Sequence, residues 1–99
     1  MIIAKVIGKV VATMKEPGFH SKKLVVVHAH LIKDGRLVPG QTVIVANDEL
    51  GAREGDLVAV TQGSSARLAP GMKNCPTDAV VIALIDRIDA EGKVVFRKG

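Results

Sequence analysis

The chain has 99 residues, of which 47% are hydrophobic and only 2% aromatic, with no Trp and no Tyr. That length accommodates one domain with a modest core, burying about 60–70% of the surface of the unfolded chain, so a single domain over residues 1–99 is expected. Charged residues make up 24%, near the globular average, which argues against disorder. The apolar content is aliphatic: 15 Val and 8 Ile are stiff at χ1 and favour strands over helices.

The formal net charge of +4 permits weak attraction to anionic surfaces without identifying one. Its densest basic clusters, Lys22-Lys23 and Arg97-Lys98, are dipeptides rather than the block expected of a nucleic-acid arm. The single cysteine, Cys75, cannot form an internal disulfide, so an intracellular chain is expected. Lys5 and Lys9 interrupt the apolar start, and no leader is expected there. The longest apolar run, residues 79–85, falls far short of the roughly 20 residues of a spanning helix, so no membrane association is expected.

Residues 2–13 alternate with period two. Ile2, Ala4, Val6, Gly8, Val10 and Ala12 form a core face, with Ile3, Lys5, Ile7, Lys9, Val11 and Thr13 opposite. This predicts a long first strand, ended by Pro17-Gly18. A second strand covers 23–31, and Lys33-Asp34-Gly35 supplies a turn. Pro39-Gly40 predicts a loop before a strand over 41–46. The stretch from Asn47 to Gly55 predicts a helical turn and a glycine-bounded loop. A strand over 56–62 follows, then a short helix over 63–68 with a Ser at its cap. Residues 78–88 form the most apolar strand, Ala90-Glu91-Gly92 turns, and 93–97 finish. Six strands and about one short helix, without repeats, predict a small antiparallel barrel rather than an open sheet.

One pattern does not suit an isolated barrel. A half-exposed antiparallel strand alternates apolar with polar, yet from Ala79 to Ile85 both faces are apolar, and Ile3, Ile7 and Val11 sit on the second face of the first strand. No long helix is available as cover, so another copy or another protein is the economical one, the alternative being coverage by the long loops.

Candidate chemistry is sparse. His28 and His30 share a strand face, but two ligands without a suitably spaced Cys or acid read better as surface histidines, and no metal is expected. Cys75 lacks a catalytic signature and reads as a packing residue. Ser64 and Ser65 lack the Gly-x-Ser-x-Gly elbow of a hydrolase and read as helix caps. Gly51-Ala52-Arg53-Glu54-Gly55 matches no phosphate-binding fingerprint. No catalytic residue, cofactor or enzymatic activity is expected. The alternative is a monomeric barrel of the oligonucleotide-binding (OB) type that binds nucleic acid or another polyanion. Such modules stack bases on aromatics at about 1–3 kcal/mol each, and here only Phe19 and Phe96 are aromatic; nucleic acid is therefore disfavoured.

The chain resembles the EutN/CcmL family, pentameric vertex proteins of bacterial microcompartment shells. The resemblance runs from Ala4-Lys5-Val6-Ile7-Gly8-Lys9-Val10-Val11-Ala12-Thr13 through Lys23-Leu24-Val25-Val26-Val27. Its more specific pieces are Gly51-Ala52-Arg53-Glu54-Gly55, Gly63-Ser64-Ser65-Ala66-Arg67 and Pro76-Thr77-Asp78-Ala79. The glycine loop departs from the family's Gly-Ala-Gly-x-Gly at Arg53. The resemblance implies an all-β, OB-like five-stranded barrel with one short helix, closed into a homopentamer beside hexameric shell proteins in a cytoplasmic microcompartment. By position it places Ser64, Ser65 and Arg67 at the subunit interface, and Ala52, Arg53 and Glu54 near the five-fold axis.

Overall fold

The computed structural model describes residues 1–11, 23–63 and 78–99. Among them seven strands follow in chain order: β1 (Ile2–Val10), β2 (Lys23–Lys33), β3 (Arg36–Asp48), β4 (Leu57–Gln62), β5 (Ala79–Leu84), β6 (Arg87–Ala90) and β7 (Lys93–Arg97). The first five close into a barrel in the order β1-β2-β3-β5-β4, with β4 returning to β1, while β6 and β7 pair separately. All pairings are antiparallel except β3 with β5, which meet at Asn47 and Val80. The short helix expected over 63–68 lies, apart from Gly63, outside the described residues.

The barrel interior is built from small side chains: Val6, Val25, Val27, Val58, Val60 and Val81, with Ala4, Ala46, Ala52 and Ala79. Ile2 and Ile44 pack against its margin. Both faces expected for the first strand hold through Val6, where Ala4 and Val6 are buried and Lys5 is exposed. Beyond it the alternation breaks. Val6 pairs with Val27 but Gly8 pairs with Val26, leaving Ile7 as a bulge residue that turns Gly8 and Val10 away from the core. A second bulge acts in β5, where Val81 pairs with Val60 but Ala83 pairs with Ala59. Ile82 is the extra residue, so Leu84 pairs with Val58, and Ile82 and Leu84 are both exposed. Period-two reading cannot anticipate either shift, because a bulge inserts one residue into one strand only.

Three element boundaries also differ from expectation. Pro39-Gly40 does not interrupt: β3 runs through it, with Pro39 opposite His30. On its other side β3 meets β5 only at Asn47, so at Pro39 it is an edge, where a residue without an N–H is tolerated. The run 78–88 divides into β5 and β6 around Ile85-Asp86. No helical turn forms between Asn47 and Gly55; Asn47 and Asp48 complete β3 and the rest is irregular loop.

The expected turns are confirmed. Asp34 and Gly35 take φ of 53° and 72° between β2 and β3, and Glu91 and Gly92 take 54° and 77° between β6 and β7. Positive φ at both central positions marks the two-residue hairpin turn whose twist matches that of the strands. Gly35→Ala places a Cβ in the left-handed region and against the Lys93 side chain. It should lower stability by about 1–2 kcal/mol, whereas Asp34→Asn should leave it unchanged. Urea unfolding at matched chain concentration checks both, read by circular dichroism because the chain has no Trp or Tyr.

Candidate functional site

The loop between β3 and β4 is held from both ends. The buried Asp48 carboxylate at the end of β3 accepts the Leu50 N–H on Oδ1 at 2.9 Å and the Ala52 N–H on Oδ2 at 2.8 Å. Lys23, at the start of β2, donates from Nζ to the Ala52 carbonyl at 2.6 Å and stands 3.8 Å from Asp48 Oδ2. A buried carboxylate is tolerated because these donors replace its water. At the far end the Arg53 N–H donates to Asp56 Oδ2 at 2.8 Å, and the Asp56 N–H donates back to the Arg53 carbonyl at 2.9 Å. Gly55 N–H donates to the Val6 carbonyl at 2.8 Å, and Val6 N–H to the Asp56 carbonyl at 2.9 Å, tying the loop to β1.

The three loop residues singled out by sequence therefore separate. Ala52 is fully buried and joins the core, whereas Arg53 and Glu54 are exposed at the tip. Gly51 and Gly55 have φ of 81° and 97°, and Arg53 has no positive φ. Its replacement of the family's middle glycine therefore carries no left-handed strain. The Asp48 clamp was not anticipated. Its one sequence signal was an Asp followed by a glycine-bounded loop, a common turn composition.

Ser64, Ser65 and Arg67 lie outside the described residues, as do Phe19 and Cys75. The two ends flanking residues 64–77 are joined, since Gly63 N–H donates to the Asp78 carbonyl at 2.7 Å. Of the second apolar faces expected from sequence, Ile7, Val11, Ile82 and Leu84 are exposed while Ile3 is half-buried and Val80 buried, and Val43 and Val45 add to the apolar exterior without having been expected there. Ile7, Val43 and Val45 are 42%, 52% and 46% exposed, and Ile82 is 37% exposed. Register places Val43 beside His28 and Val45 beside Val26 on one outer surface. His28 and His30 stand on that surface with ring centres 5.1 Å apart. On the β6–β7 hairpin Arg87 Nε donates to Asp89 Oδ1 at 2.8 Å, which raises the Arg87 pKa above its ordinary value; both groups are exposed, and such pairs contribute little. Among the described residues no three His, Cys, Asp or Glu side chains gather as a metal site, and no helix is long and apolar enough to cross a membrane.

A closed barrel with a rigid polar loop and an apolar outer face defines a self-associating β-barrel subunit. The family model described as ethanolamine utilisation protein EutN/carboxysome matches residues 1–86, and the chain belongs to this EutN/CcmL family. It is 38% identical over 98 residues to the shell vertex protein EutN of Salmonella typhimurium, covering 99% of this chain and 96% of that protein. It is 40% identical over 98 residues to the carboxysome shell vertex protein CcmL of Synechococcus elongatus, covering 99% and 96%. The solved structure of CcmL from a Nostoc strain superposes with a TM-score of 0.87 at 36% identity, covering 99% of this chain and all of that one. The pentameric shell protein GrpN of Rhodospirillum rubrum gives 0.79 at 34% identity, covering 91% and 99%.

Asp48→Ala leaves the Leu50 and Ala52 N–H groups without their acceptor and should cost about 2–4 kcal/mol. Asp48→Asn, which keeps one acceptor oxygen, should cost less than half of that. Urea midpoints at fixed chain concentration measure the difference, and amide hydrogen exchange should localise the loss of protection to Leu50 and Ala52.

Proposed function

We propose that five copies of this chain close into a ring that occupies a vertex of a bacterial microcompartment shell, as a structural and non-enzymatic subunit. The observation that carries this reading is the apolar exterior of a barrel that is already closed. Ile7, Val43, Val45 and Ile82 have no part in the core, and a solitary subunit has no reason to leave them in water. A heterologous contact that closes after five copies covers such a surface once per neighbour. A flat hexagonal layer needs five-fold units to close, and that is the geometric role of the ring beside hexameric shell proteins.

In this reading Ser64, Ser65 and Arg67 act at the contact between subunits. The Arg67 guanidinium presents a planar fork of donors to a neighbour's carboxylate or carbonyls. Arg53 and Glu54, exposed at the tip of a clamped loop, stand near the five-fold axis, so each ring carries five copies of both charges. The alternative, a monomeric polyanion-binding module, draws support only from the basic net charge. The described residues place a single aromatic, Phe96, on β7 of the separate hairpin and none on the barrel.

Native mass spectrometry at low micromolar concentration should give a species five times the 10.4 kDa chain mass; a persistent monomer would end the vertex reading. Arg67→Ala should lower the midpoint of ring dissociation more than it lowers the unfolding midpoint of the separated chain. Equal effects on both would remove Arg67 from the interface. Tight single-stranded nucleic-acid binding with a steep salt slope would instead favour the alternative.

A further inference from the structure

His28 and His30 stand two apart on β2, opposite Lys5 and Ile3 of β1, so both rings share the outer face of the barrel. Each ring is committed at one nitrogen. His28 Nε2 is 2.7 Å from the Gly40 carbonyl oxygen, and His30 Nδ1 is 2.9 Å from the His28 carbonyl oxygen. A carbonyl only accepts, so each of these nitrogens carries the proton. A neutral imidazole has one N–H, which leaves lone pairs at His28 Nδ1 and His30 Nε2. Gly40 supports the arrangement by its missing side chain, since a Cβ there would come within 3.2 Å of the Ala29 carbonyl oxygen. Metal-bound histidines characteristically donate their second N–H to a carbonyl or carboxylate, which fixes the tautomer and makes the ligating nitrogen more basic.

We propose that His28 and His30 chelate one borderline transition-metal ion per chain, such as Zn²⁺ or Ni²⁺, through His28 Nδ1 and His30 Nε2. The ring spacing suits this. An ion about 2.0–2.1 Å from one nitrogen of each of two imidazoles, at a tetrahedral angle, holds the ring centres on the order of 5 Å apart; here they are 5.1 Å apart with planes inclined at 64°. Imidazole donors select Zn, Ni or Cu over Mg or Ca, which prefer oxygen. Lys5 and Glu54 line the same hollow, and their opposite charges leave little net repulsion for a dication. Water completes the coordination, so affinity lies below that of a four-ligand structural site. Ile7 lines the hollow and Val43 stands beside His28, so the site adjoins the surface that the vertex reading covers with a neighbouring copy.

The test is calorimetric titration of the untagged, assembled protein near neutral pH with ZnCl₂, NiCl₂ and MgCl₂ in turn. The expected result is one saturable site per chain for zinc and nickel and none for magnesium. His28→Gln and His30→Gln should each weaken binding by about 100-fold or more, as a chelate becomes a single contact. Binding should also weaken as the pH is lowered, because each ligating nitrogen must be unprotonated. Absence of saturable zinc binding, or undiminished binding in the double variant, overturns the proposal. A second measurement needs no variant. Long-range ¹⁵N–¹H spectra of the wild type should show the Nε2–H tautomer at His28 and the Nδ1–H tautomer at His30, and the opposite tautomer at either ring also overturns it.

Discussion

The structure depends on the narrowness of its barrel. Diameter grows with strand number, and about eight strands are needed for an interior that ordinary side chains comfortably fill. Here five strands close the barrel, and among the described residues its interior is filled mostly by valine and alanine. Leu57 is buried as well, and Ile2 and Ile44 pack at the margin. The absence of Trp and Tyr from the whole chain agrees with a narrow interior. β-branched residues are held at χ1 by the pleated backbone, so they fill the lumen without losing much rotamer freedom on folding. The aliphatic side chains left over, Val43, Val45, Ile7 and Ile82 among them, stand on the exterior.

That division was largely legible in the sequence. The two hairpin turns follow from Asp-Gly and Glu-Gly, and the core positions of β1 follow from period two as far as Val6. The bulges at Ile7 and Ile82 were not legible, because nothing in the local composition distinguishes an isoleucine that pairs from one that is extruded. A closed barrel with few strands needs strong curvature, and bulges provide it; the demand is global, so it leaves no local mark. The continuity of β3 through Pro39 was hidden for a similar reason. Whether a proline interrupts a strand depends on whether its other edge is paired, a fact of topology.

The loop site divides in the same way. Sequence singled out Ala52, Arg53 and Glu54 as one group, yet the structure uses Ala52 for packing and leaves the two charges at the surface. What separates them is the Asp48 carboxylate and the Lys23 ammonium, two residues 25 positions apart that meet because β2 and β3 pair, Lys23 opposite Asp48. Long-range pairing of this kind creates the clamp, and the loop cannot be read without it.

Barrel closure also constrains assembly. Closure leaves no free edge along β1 and β4, and at the unpaired edge of β3 Pro39 lacks the N–H that strand addition needs. Association is then left to side chains on the exterior, where geometry fixes one angle between copies. A ring closes only if that angle is reproduced at each of its contacts, and any flexibility within the subunit accumulates around the ring. The double-ended clamp on residues 49–56 and the Gly63–Asp78 bond each remove local freedom at a loop base. Rigidity at these loop bases therefore serves ring closure as well as stability: a subunit with softer loops would reproduce the contact angle less faithfully.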